Sequence, residues 1–341
     1  MGECLIDLAP TGAGGGVRGS AGHGLRQPWQ QFMAMPGGSC ANVAVGLARL
    51  GVRTSFAARI AGQGFGPWLR QYFSDNGIDL ALSVDAPEPA TLAVVTLDSQ
   101  GRASYTFYGP ETADWQWRES ELPVPKRAAL AGYGLGAVHT GSLAIAFEPG
   151  GHVLAQWLTK LRQDNDVLIS FDPNMRSLPG NDDAAYRSRL EDVIASSHVV
   201  KASNEDVQAM YPGSAPLDAV DKWLSAGVSL VVITEGADGA TAWHRNGFEA
   251  HFSPPSIKIA DTIGAGDAFS AGLLAYFADR GLLHPGGLAQ AGPAELQAAL
   301  DQAIATSAFT CTRPGGDPPD AGELEAFVAQ QAAEDGTRPH Q

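Results

Sequence analysis

An α/β fold, with a mainly parallel sheet covered by helices on both faces, is the architecture this chain predicts. Short β-prone runs alternate with helical stretches along most of the sequence, the pattern of repeated strand–helix–strand units. At 341 residues the chain suits one large α/β unit with a smaller appended part. Its composition, 44% hydrophobic and 17% charged, is that of a folded protein.

In chain order the expected core strands are "CLIDLA" from Cys4, "TSFAARI" from Thr54, "AVHTG" from Ala137, "VLISFD" from Val167, "HVVKAS" from His198 and "LVVITEG" from Leu230. A strand pair near "TAWHR" and "FEAHF" follows. Helices are expected over 41–50, 66–76, 151–164, 182–195, 217–226, 268–279, 294–310 and 321–333. In the first of these Ala44, Val45, Leu47 and Ala48 make an apolar face for the core. Two stretches break the alternation. Residues 91–109 form two β-prone runs around "DSQGR", a hairpin signal, and the Gly-rich residues 10–24 lead into "QQFMAMPGG". The tail, residues 335–341, is expected to be disordered.

Charge excludes several partners. Twenty-two Lys and Arg against 37 Asp and Glu give a net charge of −15, which disfavours nucleic acid and anionic membrane surfaces. Cys4, Cys40 and Cys311 have no CxxC spacing, so neither a disulfide framework nor a zinc cluster is implied. With no signal-like N-terminus and no long apolar run, a cytoplasmic location is expected. No Walker A segment is present. Gly14, Gly16 and Gly19 satisfy GxGxxG, but "SAGHGLRQP" follows them and cannot open a helix, so the segment reads as a loop.

The most informative run is "DTIGAGDAFSAGLLAYF", residues 261–277. Gly264, Ala265 and Gly266 are small enough for a ligand to approach the backbone, and a helix should follow, leaving unpaired amides and a positive dipole end toward an anion. Asp267 then stands beside the place of a phosphoryl group, where a carboxylate can take the proton of an attacking hydroxyl. The arrangement reads as phosphoryl transfer to an alcohol.

This run resembles the second signature of the PfkB, or ribokinase-like, sugar kinases, whose core is "DTxGAGDxF". "PGGSCANVAVGLARLG", Pro36 to Gly51, resembles the first signature of the same family. The resemblance implies a three-layer αβα core and a single kinase domain over residues 1–334, with a small β lid from segments near 11–35 and 88–110. It assigns Asp267 as general base and the amides of Gly264, Ala265 and Gly266 as anion hole.

On the same basis Asp7, Gly37, Gly38 and Asn42 would bind the sugar, although alone they read as a strand end, a glycine turn and a polar helix residue. "FDPNMR" resembles a segment of related kinases and implies Arg176 at the active face, supported by Asp172 and Asn174. "KASNEDV" implies Lys201 near the nucleotide and Asp206, with Glu205 adjacent, organising Mg²⁺ through water. "VITEGADGA" resembles the family's "TxGxxG", which places Thr234, Gly236 and Gly239 at the nucleotide. "TCTRPGGD" resembles the loop that holds a monovalent cation with Asp261; Gly316 stands where Ala is common, and "DPP" lacks a hydroxyl found in some relatives.

The whole pattern looks most like the fructokinases, implying ATP, Mg²⁺, an optional K⁺ and D-fructose as partners, with a homodimer formed through the lid. Ribose, 2-keto-3-deoxygluconate or a nucleoside are the alternative acceptors, and a catalytically silent sugar-binding scaffold is the alternative of another kind.

Overall fold

The computed structural model describes residues 1–11, 31–97, 103–123, 135–164, 167–175 and 184–336. Arg176, the "DSQGR" turn, the GxGxxG segment and residues 337–341 lie outside them. The described strands are β1 (Leu5–Pro10), β2 (Phe32–Gly37), β3 (Arg59–Ala61), β4 (Val84–Ala86), β5 (Leu92–Leu97) and β6 (Ala103–Tyr108). They continue with β7 (Ala137–Gly141), β8 (Leu168–Asp172), β9 (Val199–Ser203), β10 (Leu230–Thr234), β11 (Ala240–His244) and β12 (Glu249–Phe252).

The core sheet has the order β12-β11-β10-β9-β8-β7. Strands β7 to β10 are parallel, and β11 and β12 close one edge as the antiparallel pair read from the sequence. Strand residues alternate between two apolar layers. Ile169, Phe171, Val200, Ala202, Val231 and Ile233 face the layer that contains the Gly150–Asp164, Ala184–Ser196 and Pro216–Ser225 helices. Leu168, Val199, Leu230 and Val232 face the Ala265–Asp279 and Pro293–Cys311 helices. The three-layer αβα core is therefore built as the resemblance implied.

A second sheet, β2-β1-β5-β6, includes Phe32–Gly37, Leu92–Leu97 and Ala103–Tyr108 from the segments expected in a lid, whose residues 12–30 lie outside the described ones. Here the sequence reading needs correction, because "CLIDLA" was placed in the core sheet. Instead β1 pairs antiparallel with β2 and parallel with β5. Its buried Leu5 and Ile6 join the core while Asp7 to Pro10 are half-exposed, so the run passes from the core toward the surface. "TSFAARI" is also shorter than expected: only Arg59–Ala61 is a strand, paired with β4 in a separate ribbon. The last helix, Ala321–Gly336, runs two residues into the segment expected to be tail.

Candidate active site

Strands β7, β8, β9 and β10 end on one side of the sheet at Gly141, Asp172, Ser203 and Thr234, and open parallel sheets place ligands beyond these carboxyl ends. Ser142 and Asn174, just past β7 and β8, have positive φ of 53° and 37°. Non-glycine residues rarely accept that conformation, and such strain gathers at functional sites.

The strand register brings a charge pair to this rim. Ser170 faces Val199 and Phe171 faces Val200, so the next step sets Asp172 beside Lys201. Lys201 Nζ donates to Asp172 Oδ2 at 2.7 Å, and both residues are buried. Burial alone would lower the Lys201 pKa, but Asp172, then Asp267 and Asp206, raise it above the usual value, so the ammonium is kept. By alternation Lys201 lies on the face of the Ala265–Asp279 helix. A methyl group on Gly266 would come within 2.7 Å of Nζ, which places the cation against that helix's first turn.

Gly264 caps this helix with φ 72°, so glycine is needed there. The helix begins at Ala265, three residues earlier than the sequence suggested, and Gly266 therefore belongs to its first turn. The Ala265 amide, expected in the anion hole, donates to the Thr262 carbonyl at 3.3 Å, while the Gly266 and Asp267 amides have no partner within the helix by geometry. Asp267 follows in the same turn, 7% exposed.

Two donors on another helix hold its carboxylate. Ser39 Oγ donates to Oδ1 at 2.6 Å and Asn42 Nδ2 to Oδ2 at 2.8 Å. Ser39, Asn42 and Gly46 recur at i, i+3 and i+7 on one face of the Ser39–Arg49 helix. A Cβ on Gly46 would lie 2.7 Å from the Ala271 Cβ, so the two helices approach closely, and that closeness lets short side chains bridge them. Neither Ser39 nor the buried Glu3 was singled out by sequence. Glu3 Oε1 accepts the Ser39 N–H at 2.9 Å, and burial pushes its carboxyl up to about 7.

The residues expected at the sugar lie nearby in sequence and sheet. Asp7 rests against Gly37, where any side chain would collide with its carboxylate, and Gly38 has φ 107° with its Cα facing the Glu3 carbonyl. Asn42, expected at the sugar, is drawn to Asp267. On the other flank Thr234 ends β10, Gly236 borders open space, and Gly239, with φ 101°, packs on the Phe252 carbonyl. Asp206 caps the Asn204–Met210 helix. Its Oδ2 accepts from Ser203 N and Oγ at 2.8 and 2.7 Å, and its Oδ1 from Met175 N at 2.6 Å. Neighbouring Glu205 is exposed.

Asp261 ties the loop before the glycine-capped helix to the Gly315 segment. Its Oδ1 accepts the Ile263 N–H at 3.0 Å and its Oδ2 the Gly315 N–H at 2.9 Å, while Gly264 packs on Gly316. Among the described residues no group of three or more His, Cys, Asp or Glu side chains forms a metal cage. What the site assembles is a carboxylate held by two donors, a buried ammonium and a glycine-capped helix end, a set suited to deprotonating a hydroxyl beside a phosphate.

Comparison with known proteins agrees. Residues 2–321 match the pfkB family carbohydrate kinase description. The chain is similar to a fructokinase of Klebsiella pneumoniae, 32% identical over 90% of this chain and 92% of that one. It is also 31% identical to fructokinase-1 of Oryza sativa subsp. japonica over 98% and 97% of the two chains. The structure resembles a fructokinase from Xylella fastidiosa with bound ATP, with a TM-score of 0.83 and 26% identity over 97% of each chain. It also resembles a Vibrio cholerae O395 fructokinase bound to fructose, ADP and calcium, with TM-score 0.75 and 26% identity over 96% of each chain. An aminoimidazole riboside kinase from Salmonella enterica aligns as well, at TM-score 0.75 and 26% identity over 96% of this chain and 98% of that one.

Proposed function

Since the chain belongs to the pfkB family of carbohydrate kinases and is a sugar phosphotransferase, we propose that it transfers the γ-phosphoryl group of ATP to D-fructose, giving ADP and fructose 6-phosphate. The observation that carries the chemistry is the Asp267 carboxylate, fixed by Ser39 and Asn42 in the first turn of a glycine-capped helix with Lys201 beside it.

In this reading Asp267 takes the proton of the sugar hydroxyl as it attacks. The charge spread over the transferring phosphoryl oxygens is met by Lys201 and by the amides of the Gly264–Gly266 turn, both already in place before reaction. Asp7, with Gly37 and Gly38 leaving room for ligand, orients the sugar hydroxyls, and Arg176 serves the same face. Thr234, Gly236 and Gly239 receive the nucleotide at the end of β10. Mg²⁺ brought by ATP would supply charge to the phosphates, and Asp206, whose two oxygens already accept hydrogen bonds, would act on it through water. Asp261 and the carbonyls of the loop it ties suit K⁺, a cation that takes oxygen ligands.

The lid covers the site and excludes water that would hydrolyse ATP. Phe32 and Met33 on β2 and Tyr105 and Tyr108 on β6 are exposed at its two edges, apolar positions that support edge pairing with a second copy. Among the described residues no helix is long and apolar enough to cross a membrane, and the three cysteines are free, which supports a cytoplasmic setting.

Release of ADP measured against fructose, ribose, 2-keto-3-deoxygluconate and aminoimidazole riboside decides the acceptor. Fructose should give the highest kcat/KM by about 10-fold or more, the size of effect set by one or two hydroxyl contacts. A preference for aminoimidazole riboside, which the structural likeness to that kinase makes the second reading, would replace fructose as the substrate.

A further inference from the structure

We propose that Glu3 is a positioning residue for the reaction: its carboxylate fixes the first turn of the Ser39–Arg49 helix, and through it the Ser39 hydroxyl that orients Asp267. The inference rests on the kinase reading above. Its basis is a continuous chain of contacts, Glu3 Oε1 to Ser39 N at 2.9 Å and Ser39 Oγ to Asp267 Oδ1 at 2.6 Å.

The helix needs such a partner from outside. Its N-cap is Gly38, which offers no side-chain acceptor, and its own first turn carries no acid. Gly38 cannot be exchanged for a capping Ser or Asp, since its φ is 107° and a Cβ there would sit 2.7 Å from the Glu3 carbonyl oxygen. The segment at Glu3 therefore excludes the ordinary cap and supplies a carboxylate in its place.

A cap serving stability alone would have both oxygens satisfied. Asp114, the buried acid next to Glu3, meets that description: its Oδ1 accepts the Cys4 N–H at 2.8 Å and its Oδ2 the Thr91 hydroxyl at 2.5 Å. Glu3 does not. It is 1% exposed, among the described residues no donor reaches its Oε2 at hydrogen-bond geometry although its own amide and the Cys40 thiol act on the carboxylate, and it faces two other carboxylates, Asp114 and Asp267. Burying a half-satisfied acid against like charges destabilises a fold, and such costs gather where a site must be shaped.

The placement also couples charge to chemistry. The titratable groups facing Glu3 are Asp114, Asp267, the Cys4 and Cys40 thiols and the Met1 amino group. When Glu3 ionises, its bond to the Ser39 amide becomes charge-assisted, which holds the first turn, and with it the Ser39 hydroxyl on Asp267, more firmly. Burial sets that ionisation at about 7, so turnover should rise with pH through that region.

The test is kcat at saturating ATP and fructose, from about pH 5.5 to about pH 9, for wild type, Glu3→Gln, Glu3→Ala, Ser39→Ala and the double variant E3A/S39A. Glu3→Ala should lower kcat by about 10- to 100-fold, with the KM for ATP changed by less than about 3-fold, as expected for a misplaced base. Glu3→Gln keeps the amide acceptor and should match wild type at low pH within about 3-fold, yet lack the rise near neutrality. The double variant should be no slower than the slower single one, because both act through one chain of contacts. Wild-type kcat in Glu3→Ala, an unaltered inflection in Glu3→Gln, or additive losses in the double variant would each overturn the proposal. If Glu3→Ala does not fold, the Glu3→Gln profile and Ser39→Ala decide. An inactive Asp267→Asn beside a normal Glu3→Ala would remove this role alone, whereas a fully active Asp267→Asn would remove the kinase reading beneath it.

Discussion

Replacing Glu3 by glutamine should make the protein progressively more stable than wild type as pH rises from about 4.5 to about 7, with no further change above. In the fold, burial lifts the Glu3 carboxyl from 4.5 to about 7, so the native state holds its proton more tightly than the unfolded chain does. Below 4.5 the side chain is protonated in both states and costs nothing extra; above 7 it is ionised in both, and the full penalty of the buried charge is present. A shift of roughly 2.5 units at about 1.4 kcal/mol each gives about 3 kcal/mol lost across that window. Glutamine has no proton to lose, so the difference in unfolding free energy between variant and wild type should grow by about 3 kcal/mol from acid to alkaline pH. Urea unfolding of both proteins at a series of pH values reads this directly, provided the denaturant slope is the same for the two. A difference that stays constant with pH would show that Glu3 is not the strained acid described, since the other raised carboxyls, Asp114 among them, are common to both proteins.

Other perturbations probe the remaining parts of the site. Gly266→Ala puts a methyl group 2.7 Å from the Lys201 ammonium and should push it aside, lowering kcat by about 10-fold with little change in thermal stability; unchanged turnover would separate Lys201 from the phosphoryl group. Asp7→Ala should raise the KM for fructose by about 10-fold or more, the worth of a charged hydrogen bond, and a change confined to the KM for ATP would refute its place at the sugar. Activity should increase when K⁺ replaces Na⁺ at constant ionic strength, and Asp261→Ala, which frees the Ile263 and Gly315 amides, should abolish the difference. Equal wild-type rates in the two salts would remove the cation from the account.

Local pattern carried much of this into view from the sequence. The alternation of apolar runs such as "VLISFD", "HVVKAS" and "LVVITEG" with helical stretches located the parallel core strands, and Asp172 and Lys201 were legible as charges at strand positions where apolar residues are expected. Their pairing was not, because it depends on the register between β8 and β9. The existence of β1 was equally plain, whereas its sheet was not: the choice rests on partners at Met35 and Ala93. The helix start at Ala265 was misplaced because Gly264-Ala265-Gly266 reads as a turn until the left-handed cap at Gly264 is seen to hold the first turn in place. Ser39 and Glu3 escaped notice for a related reason. The Ser39 to Asp267 bond joins residues 228 apart and the Glu3 to Ser39 bond residues 36 apart, and neither follows from spacing. One signal was available, Glu3 directly before the apolar "CLI" at Cys4, where an acid is not buried unless something requires it.

The central claim is that Asp267 takes the proton of a sugar hydroxyl, and Asp267→Asn tests it most directly because asparagine keeps the shape and loses the base. ADP release with saturating fructose and ATP, together with calorimetric titration of fructose, should show kcat reduced by about 10²- to 10⁴-fold while fructose binding is largely retained. Turnover near that of wild type in the purified variant would contradict the account.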